Sequence, residues 1–568
     1  MVFPASSALP WAKSYPASVD WAAPLPSQPL DQILDDAVRR FSGNTAVDFL
    51  GKLYTYKKIG DLVARTAKGL QELGIKKGDR IGLFLPNTPA YMILYFATLK
   101  IGAVIVNFNP LYAEREIERQ IIDSGVDIMA TVDLPLCCGK LDKMLGGRTC
   151  LKRIIISRMA DMLPPLLGLA YRLVKFRDIA RIPNDEHHIS FTRLVANDGK
   201  FLPVPIDPKK DLAVLQYTGG TTGIPKGAML THANLAANVM QSRLVFPHVH
   251  FGAERMLGVL PFFHVFAMTA VMNITILMGG CLIMLPRFDL MQVIKTIHKK
   301  RPTLFPAVPT IYTAINHYKG LAKYDLSSIK YCISGGAPLP VEVKHDFERL
   351  TGCVLVEGYG LSETSPVVSC NPVEGVNKSG SIGLPVPGTL IEIVSLEDRK
   401  TVLPQGEKGE VCIRGPQVMM GYWHQRAETE AVLDETPEGA RLHTGDIGYL
   451  DEDGYTFIVD RIKDMIAAGG FKIYPRLVEE AIYLHPAVEE CIVAGVPDEY
   501  RGQTVKAWIK LRAGATLTHT ELSAFLKDKL SPIEMPKQVE FRDRLPKTLI
   551  GKLSRKMMLE EEAAAKKA

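Results

Sequence analysis

Residues 217–227 read Tyr217-Thr218-Gly219-Gly220-Thr221-Thr222-Gly223-Ile224-Pro225-Lys226-Gly227, directly after an apolar run at 212–216 that predicts a strand. Gly219, Gly220 and Gly223 let the backbone turn tightly and aim its N–H groups inward. The hydroxyls of Tyr217, Thr218, Thr221 and Thr222 add donors, and Lys226 adds a positive charge. Together these make a cradle for phosphate. It is not the P-loop, because G-x-x-x-x-G-K-[ST] occurs nowhere and the lysine here precedes a glycine. A linker rich in Gly and Thr would account for flexibility, but not for so many donors beside a cation.

Upstream of the loop, residues 30–132 alternate between helix and strand. Apolar spacing predicts helices over 30–41 and 57–73, the second closing at Gly74. Short β-rich runs predict strands over 80–85 and 103–107, with a helix over 88–100 between them whose start is marked by Asn87. Repeated strand–helix–strand units imply a parallel sheet covered by helices, hence an α/β class. No repeat of solenoid length is visible. Residues 1–16, broken by prolines and lacking a basic region before an apolar stretch, read as a flexible arm.

Two apolar stretches raise the question of a membrane. Met256 to Pro286 holds 31 residues without Asp, Glu, Lys or Arg, but Pro261, His264, Asn273 and Gly279-Gly280 interrupt it. The longest helix-like piece, 14 residues at 265–278, is nearer a buried core helix than a span. At 156–181, Leu163, Leu166, Leu167, Leu169 and Leu173 are interleaved with Arg172, Lys175, Arg177 and Arg181. The reading taken is a surface helix packed on the core; the alternative is a helix lying in a membrane interface, its cations meeting anionic headgroups. His187-His188 nearby reads as a pair of solvated loop histidines rather than a metal site.

The chain has 568 residues, 47% hydrophobic and 23% charged, so it exceeds one typical domain and excludes a disordered or collagen-like polypeptide. Net charge is +6, and no segment concentrates Lys and Arg enough for a nucleic-acid footprint. Nine cysteines, odd in number and without CxxC, indicate neither a disulfide framework nor a zinc ribbon, and fit a reducing, cytoplasmic setting. After Gly454 the texture changes. A strand and a charged, Gly-containing connection lead into a helix over 476–484, strands over 488–496 and 504–511, and a helix over 520–530. This is a small α+β domain, so the expected division is 1–462 for a large domain of helix-covered sheets and 463–568 for a small mobile one.

Six further motifs follow the loop in order. They are Pro261-Phe262-Phe263-His264-Val265-Phe266, Ser334-Gly335-Gly336-Ala337-Pro338, Glu357-Gly358-Tyr359-Gly360-Leu361-Ser362-Glu363-Thr364, His443-Thr444-Gly445-Asp446, Asp460-Arg461-Ile462-Lys463-Asp464 and Pro546-Lys547-Thr548-Leu549-Ile550-Gly551-Lys552. With the loop they resemble the motif set of the adenylate-forming superfamily, which includes acyl-CoA synthetases, luciferases and peptide-synthetase adenylation domains. The resemblance runs from about residue 30 to 556. It implies activation of a carboxylate by ATP to acyl-AMP, then transfer to CoA. Such chemistry makes sense in itself, since a free carboxylate has no good leaving group and an acyl phosphate anhydride does. Catalysis is then mainly positioning and electrostatic stabilisation of phosphate charge.

The resemblance implies particular roles. Glu363, a hard oxygen ligand, acts with Thr218 on Mg²⁺. Tyr359 offers a flat face to adenine while Gly335 and Gly336 let backbone approach the base; Ala337, Gly358, Gly360 and Ser362 belong to the same nucleotide wall. Asp446 takes the ribose hydroxyls with Arg461 as its partner, and Lys552 reaches the reacting carboxylate and α-phosphate. His264, counted with Lys552, Glu363 and Lys226 among the catalytic residues, gates the acyl and pantetheine junction, and the sequence gives no support for proton transfer by it. Lys463 is the hinge, and Gly469-Gly470 faces the pantetheine tunnel after the small domain turns. One departure is Leu477, where relatives carry a glutamate two residues before the one here at Glu479; it puts a hydrogen bond from that position in question.

The stretch 256–312 resembles bacterial long-chain acyl-CoA synthetases most closely. The implied activity is a long-chain fatty-acid–CoA ligase acting on medium- to long-chain acids, with ATP, Mg²⁺ and CoA. It is expected to be cytoplasmic, with peripheral contact at the inner face of a membrane as a further expectation. An aryl-CoA ligase or fatty-acyl-AMP ligase would share nearly every motif. From other classes, a membrane carrier built around 256–286 or a non-enzymatic binding relative stays open; the second should lack a motif residue, yet Lys226, Glu363, Asp446, Arg461 and Lys552 are all present.

Overall fold

The alternation in residues 30–132 closes into a parallel sheet, as the strand–helix pattern requires. The computed structural model describes residues 9–147, 149–218, 225–437, 439–468, 471–498, 502–547 and 553–565. It is a mixed α/β chain in two compact units, one of residues 1–390 with 413–442 and the other of 391–412 with 443–568. This division by packing is distinct from the expected 462/463 boundary, which concerns where a rotation would pivot.

In the first unit a seven-stranded sheet runs in the order His188–Ser190, Arg153–Ser157, Ile128–Val132, Arg80–Leu83, Val104–Asn107, Leu212–Thr218 and Lys226–Thr231. All neighbours are parallel except the last pair. The helices Gln32–Phe41, Tyr56–Glu72 and Pro89–Lys100 lie where apolar spacing predicts them. Thr88 rather than Asn87 caps the third, accepting from the Tyr91 N–H at 3.4 Å. The Asn87 amide instead ties down the chain at Leu260 and Phe262, a long-range use that local sequence does not reveal.

Two four-stranded sheets also lie in this unit. One orders Arg255–Gly258, Cys281–Met284, Thr45–Phe49 and Lys52–Thr55, and the other Tyr331–Ser334, Val354–Gly360, Val367–Cys370 and Leu384–Pro385. The apolar stretch after Met256 forms a strand, a buried helical run from Val265 to Leu277 with a π-turn at Met268–Asn273, and a second strand. Among the described residues no helix is long and apolar enough to cross a membrane.

Three expectations need correction. The described part of the N-terminal arm is docked, with Trp11 buried and the Tyr15 hydroxyl donating to the Pro385 carbonyl. Scattered aromatic and proline residues bury area without periodicity, so pattern reading misses them. The helix at Pro165–Val174 is not packed on the core by its apolar face, since only Gly168 in it is buried. His188 is not solvated; its ring lies between Asp185 at 2.8 Å and Asp142 at 3.1 Å, and its side chain is only 7% exposed.

In the second unit a five-stranded sheet orders Phe471–Ile473, Ile466–Ala468, Gly502–Leu511 and Val488–Asp498, with Gln538–Phe541 also on Gly502–Leu511. Alternation along its long strands sends Cys491, Val493, Ala507 and Ile509 into one core with the helices Pro475–Tyr483 and His519–Leu526. Ile492, Ala494, Val496 and Trp508 face the other way, onto Met558 of the helix Arg555–Ala565. The expected helix over 520–530 closes at Leu526.

Burial works against the His188 cation, but hydrogen bonds and charge from Asp142 and Asp185 outweigh it and raise its pKa. A raised folded value means stability that is whole below the unfolded value of about 6.5 and is lost as pH climbs through the folded one. Replacing His188 with Asn should therefore lower the thermal midpoint more at about pH 5.5 than at about pH 9. Equal losses at both pH values would remove the ion pairs from the account.

Candidate functional site

The site begins at a hairpin. Strand Leu212–Thr218 runs two residues further than expected and pairs antiparallel with Lys226–Thr231, setting Thr218 opposite Lys226 and Tyr217 opposite Gly227. The mouth of the glycine loop is thereby fixed at a threonine hydroxyl and an ammonium. Gly219, Gly220, Thr221, Thr222 and Gly223 lie outside the described residues. Tyr217 corrects one expectation: it is buried and its hydroxyl donates to Asp123, so it is not a donor of the cradle.

Against this hairpin pack two other segments. The 3₁₀ turn Ser362–Thr364, which carries Glu363, lies on both hairpin strands. The segment 419–423 runs beside the second strand, with the Met229 N–H donating to the Gly421 carbonyl and the Trp423 N–H to the Gly227 carbonyl. The Met419 N–H donates to the Glu363 carbonyl at 2.8 Å, so the three pieces hold one another.

Tyr422 is the keystone of this corner. Its hydroxyl donates to Glu363 Oε1 at 2.7 Å, and the Lys226 ammonium sits 5.1 Å from its ring centroid. Burial, then the Glu363 charge, keeps the phenol protonated as a donor. Lys226 is also ion-paired with Glu428. Tyr422 and Glu428 escape sequence reading because they are remote in the chain and belong to none of the seven motifs.

The nucleotide-wall candidates gather at the carboxyl ends of the parallel strands Tyr331–Ser334 and Val354–Gly360, paired in register Ser334 with Glu357. Open α/β sheets bind ligands at such ends. Gly335 and Gly336, Gly336 at φ +81°, follow the first strand directly, with Ala337 next. A Cβ on Gly335 would lie 3.0 Å from the Phe266 ring and 3.6 Å from the Gly358 carbonyl oxygen. One on Gly360 would come 1.9 Å from the Pro366 carbonyl oxygen, which only glycine avoids. Tyr359 is half-buried beside Ser369, and Ser362 opens the turn before Glu363. His264 caps the buried helical run, its Nδ1 accepting from the Phe266 N–H at 3.3 Å. That fixes the ring at the start of the run rather than assigning it a proton-transfer task.

In the second unit, Asp446 and Arg461 are register partners on strands Gly439–Leu450 and Thr456–Arg461, and Arg461 Nε lies 2.9 Å from Asp446 Oδ1. Asp446 is buried, its backbone N–H donating to the Thr444 hydroxyl. The turn before it rests on a residue sequence reading passed over. Buried Glu410 accepts from the Gly445 N–H at 3.0 Å through one oxygen and contacts His443 Nδ1 at 2.8 Å through the other. Burial alone would raise its pKa, but His443, the Gly445 N–H and Arg399 hold it below the ordinary value. Cys412 Sγ is 3.4 Å from the same His443 nitrogen, so Glu410, Cys412 and His443 form one buried cluster.

Lys463 is exposed on the 3₁₀ turn Ile462–Asp464. Arg555 flanks that turn on two sides, at 3.1 Å from Asp460 and 3.3 Å from Asp464, and donates to Glu479 at 2.7 Å. Glu479 therefore keeps a charged partner two residues beyond Leu477. Gly469, Gly470 and Lys552 lie outside the described residues.

A family model described as AMP-binding enzyme matches residues 34–423, and one described as AMP-binding enzyme C-terminal domain matches 477–552. The chain belongs to the AMP-binding enzyme family. It is 46% identical over 559 residues to a long-chain-fatty-acid–CoA ligase of Bacillus subtilis, covering 97% of this chain and 98% of the relative. A long-chain-fatty-acid–CoA ligase of Escherichia coli O6:H1 is 38% identical over 560 residues, again 97% of this chain and 98% of the relative. The solved structure of a Mycobacterium tuberculosis fatty acyl CoA synthetase superposes with a TM-score of 0.72 at 26% identity, covering 94% of this chain and 99% of that one. As in its family, ATP and CoA are substrates of this enzyme.

Tyr422→Phe removes the hydroxyl that orients Glu363 and leaves the ring in place. A hydrogen bond to a charged group contributes about 1.5–3 kcal/mol to folding, so the thermal midpoint should drop, and ATP-dependent turnover of the folded enzyme should fall as well because Glu363 loses the donor that orients it. Unchanged turnover would show that Glu363 needs no such anchor.

Proposed function

We propose that this protein is a long-chain fatty-acid–CoA ligase. It activates a medium- to long-chain fatty acid with ATP to acyl-AMP and pyrophosphate, then transfers the acyl group to CoA with release of AMP. The observation that carries the reading is the corner where Thr218, Lys226 and Glu363 meet around Tyr422, set in a chain similar along nearly its whole length to ligases named for such acids.

In the first step a carboxylate oxygen attacks the α-phosphorus in line with departing pyrophosphate. Charge builds on the phosphate oxygens and must be met by fixed donors and cations. Lys226 and the Thr218 hydroxyl supply a cation and a donor at the mouth of the glycine loop, whose Gly219, Gly220, Thr221, Thr222 and Gly223 complete the cradle. Mg²⁺ fits the donor set, since Glu363 offers a hard carboxylate oxygen already oriented by Tyr422 and Thr218 offers a hydroxyl. Bound there, the ion supplies charge neutralisation on the phosphates. Gly335, Gly336, Ala337, Gly358, Tyr359, Gly360 and Ser362 line the nucleotide. Asp446, held by Arg461 and the Glu410-supported turn, takes the ribose hydroxyls.

Lys552 serves this first step by pairing with the carboxylate and α-phosphate. In the second step residues 463–568 turn about Lys463, withdrawing Lys552 and presenting Gly469-Gly470 to the pantetheine arm while His264 gates the acyl junction. The CoA sulfur then attacks the acyl carbon and AMP leaves. The enzyme is cytoplasmic in this reading, and it touches the inner face of the membrane that holds its apolar substrate.

Two measurements test the proposal. Pyrophosphate release and product analysis across acids from acetate to stearate, with coumarate and benzoate and with or without CoA, should peak at long aliphatic chains and yield thioester only with CoA. A peak at the aryl acids, or acyl-AMP accumulating in the presence of CoA, would overturn the substrate or the acceptor. Lys552→Ala should abolish acyl-AMP formation and spare thioester formation from supplied acyl-AMP; equal loss of both steps would end the two-conformation account.

A further inference from the structure

The helix Pro165–Val174 is amphipathic the wrong way round for a soluble surface. At 100° per residue, Leu166, Leu167, Leu169, Ala170, Leu173 and Val174 fall within an arc of about 160°. The opposite side carries Gly168, the helix's one buried residue, where a Cβ would come 2.5 Å from the Ala160 carbonyl oxygen. Glycine lets the helix lie flat on the chain beneath it and leaves the apolar arc facing outward. Leu166 is 84% exposed, Leu173 69% and Val174 76%, and Phe176 just beyond the helix is exposed as well. A surface helix normally turns such an arc to the core, and contiguous apolar exposure of this kind marks an interaction site.

Charge around the arc narrows the occupant. Residues 158–181 carry five basic side chains, Arg158, Arg172, Lys175, Arg177 and Arg181, against Asp161 and Asp178, a net of +3. Arg172 pairs with Asp161 and Lys175 with Asp178. Arg177 and Arg181 have no carboxylate partner among the described residues; Arg177 lies 5.5 Å from the Phe176 ring centroid. An apolar arc bordered by uncompensated arginines matches the interface of an anionic bilayer, where side chains enter the acyl boundary and guanidinium groups meet phosphate. A second copy of this chain fits poorly, because a twofold contact would set the same positive border against itself.

We propose that the helix Pro165–Val174 and the arginines after it form a docking surface for an anionic lipid bilayer. This rests on the lipid-substrate reading above and gives the membrane contact a location. Docking keeps the enzyme where fatty acid partitions.

The test is co-sedimentation of the full-length protein with phosphatidylcholine vesicles, with and without phosphatidylglycerol, at low and high salt. The expected result is binding to the phosphatidylglycerol vesicles that weakens with salt. The double variant Leu166→Gln/Leu173→Gln should lower the partition coefficient about a hundredfold or more. Arg177→Gln/Arg181→Gln should remove most of the preference for anionic lipid. Both variants should keep wild-type turnover of detergent-dispersed substrate, since neither touches the proposed catalytic corner. Sedimentation reads no turnover, so a failed ligase assignment and a failed docking surface remain separable. Wild-type protein that binds no vesicles, or a Leu variant that binds as the wild type does, would overturn the proposal. A concentration-dependent dimer lost only in the Leu variant, without vesicle binding, would instead assign the arc to a second copy.

Discussion

The antiparallel pairing of Leu212–Thr218 with Lys226–Thr231 is the constraint on which the first unit's candidate site depends. Backbone hydrogen bonding sets Thr218 opposite Lys226, and a slip of one residue would turn the hydroxyl and the ammonium onto the other face. The same strand pair gives the 419–423 segment and the Glu363 turn a surface to pack against. Tyr422 then joins them, donating to the carboxylate and lying under the cation. Here a neutral phenol and a second carboxylate, Glu428, hold each charge in its own place.

The second unit applies the same economy. Asp446 is a buried carboxylate, which is costly unless it is bonded, and Arg461 across the strand pair supplies the partner. Beneath its turn Glu410 is buried too, satisfied by His443 and the Gly445 N–H. Buried polar networks of this kind rigidify when complete, so the orientation of Asp446 is set by atoms that would not themselves meet a ligand. Arg555, bound to Asp460, Asp464 and Glu479, ties both ends of the turn bearing Lys463 to the helix Pro475–Tyr483.

The Pro165–Val174 helix shows how one composition supports opposite structures. Its apolar residues gather on one arc, as those of Gln32–Phe41 do, yet Ile33, Leu34 and Ala37 of that helix are buried while the leucines of the other face outward. Periodicity specifies that an apolar face exists, and packing decides what covers it. Gly168 decides it here, as the one position small enough to rest on the Ala160 carbonyl.

From the sequence by itself came the α/β class, most helices and strands of residues 30–132, the seven motifs and the buried nature of the 256–286 stretch. Those features are local: they rest on periods of two or 3.6, or on contiguous strings whose residue types state their chemistry. Only the tertiary structure decided that Tyr217 turns away from the cradle toward Asp123, that Tyr422 and Glu428 hold Glu363 and Lys226, that Glu410 supports the Asp446 turn, that Trp11 is buried, and which way the Pro165–Val174 helix faces. The physical reason is shared. Apart from the helix, which rests on the nearby Ala160, each depends on a partner remote in the chain, and a side chain's donor or charge takes its meaning from that partner, which no local pattern contains.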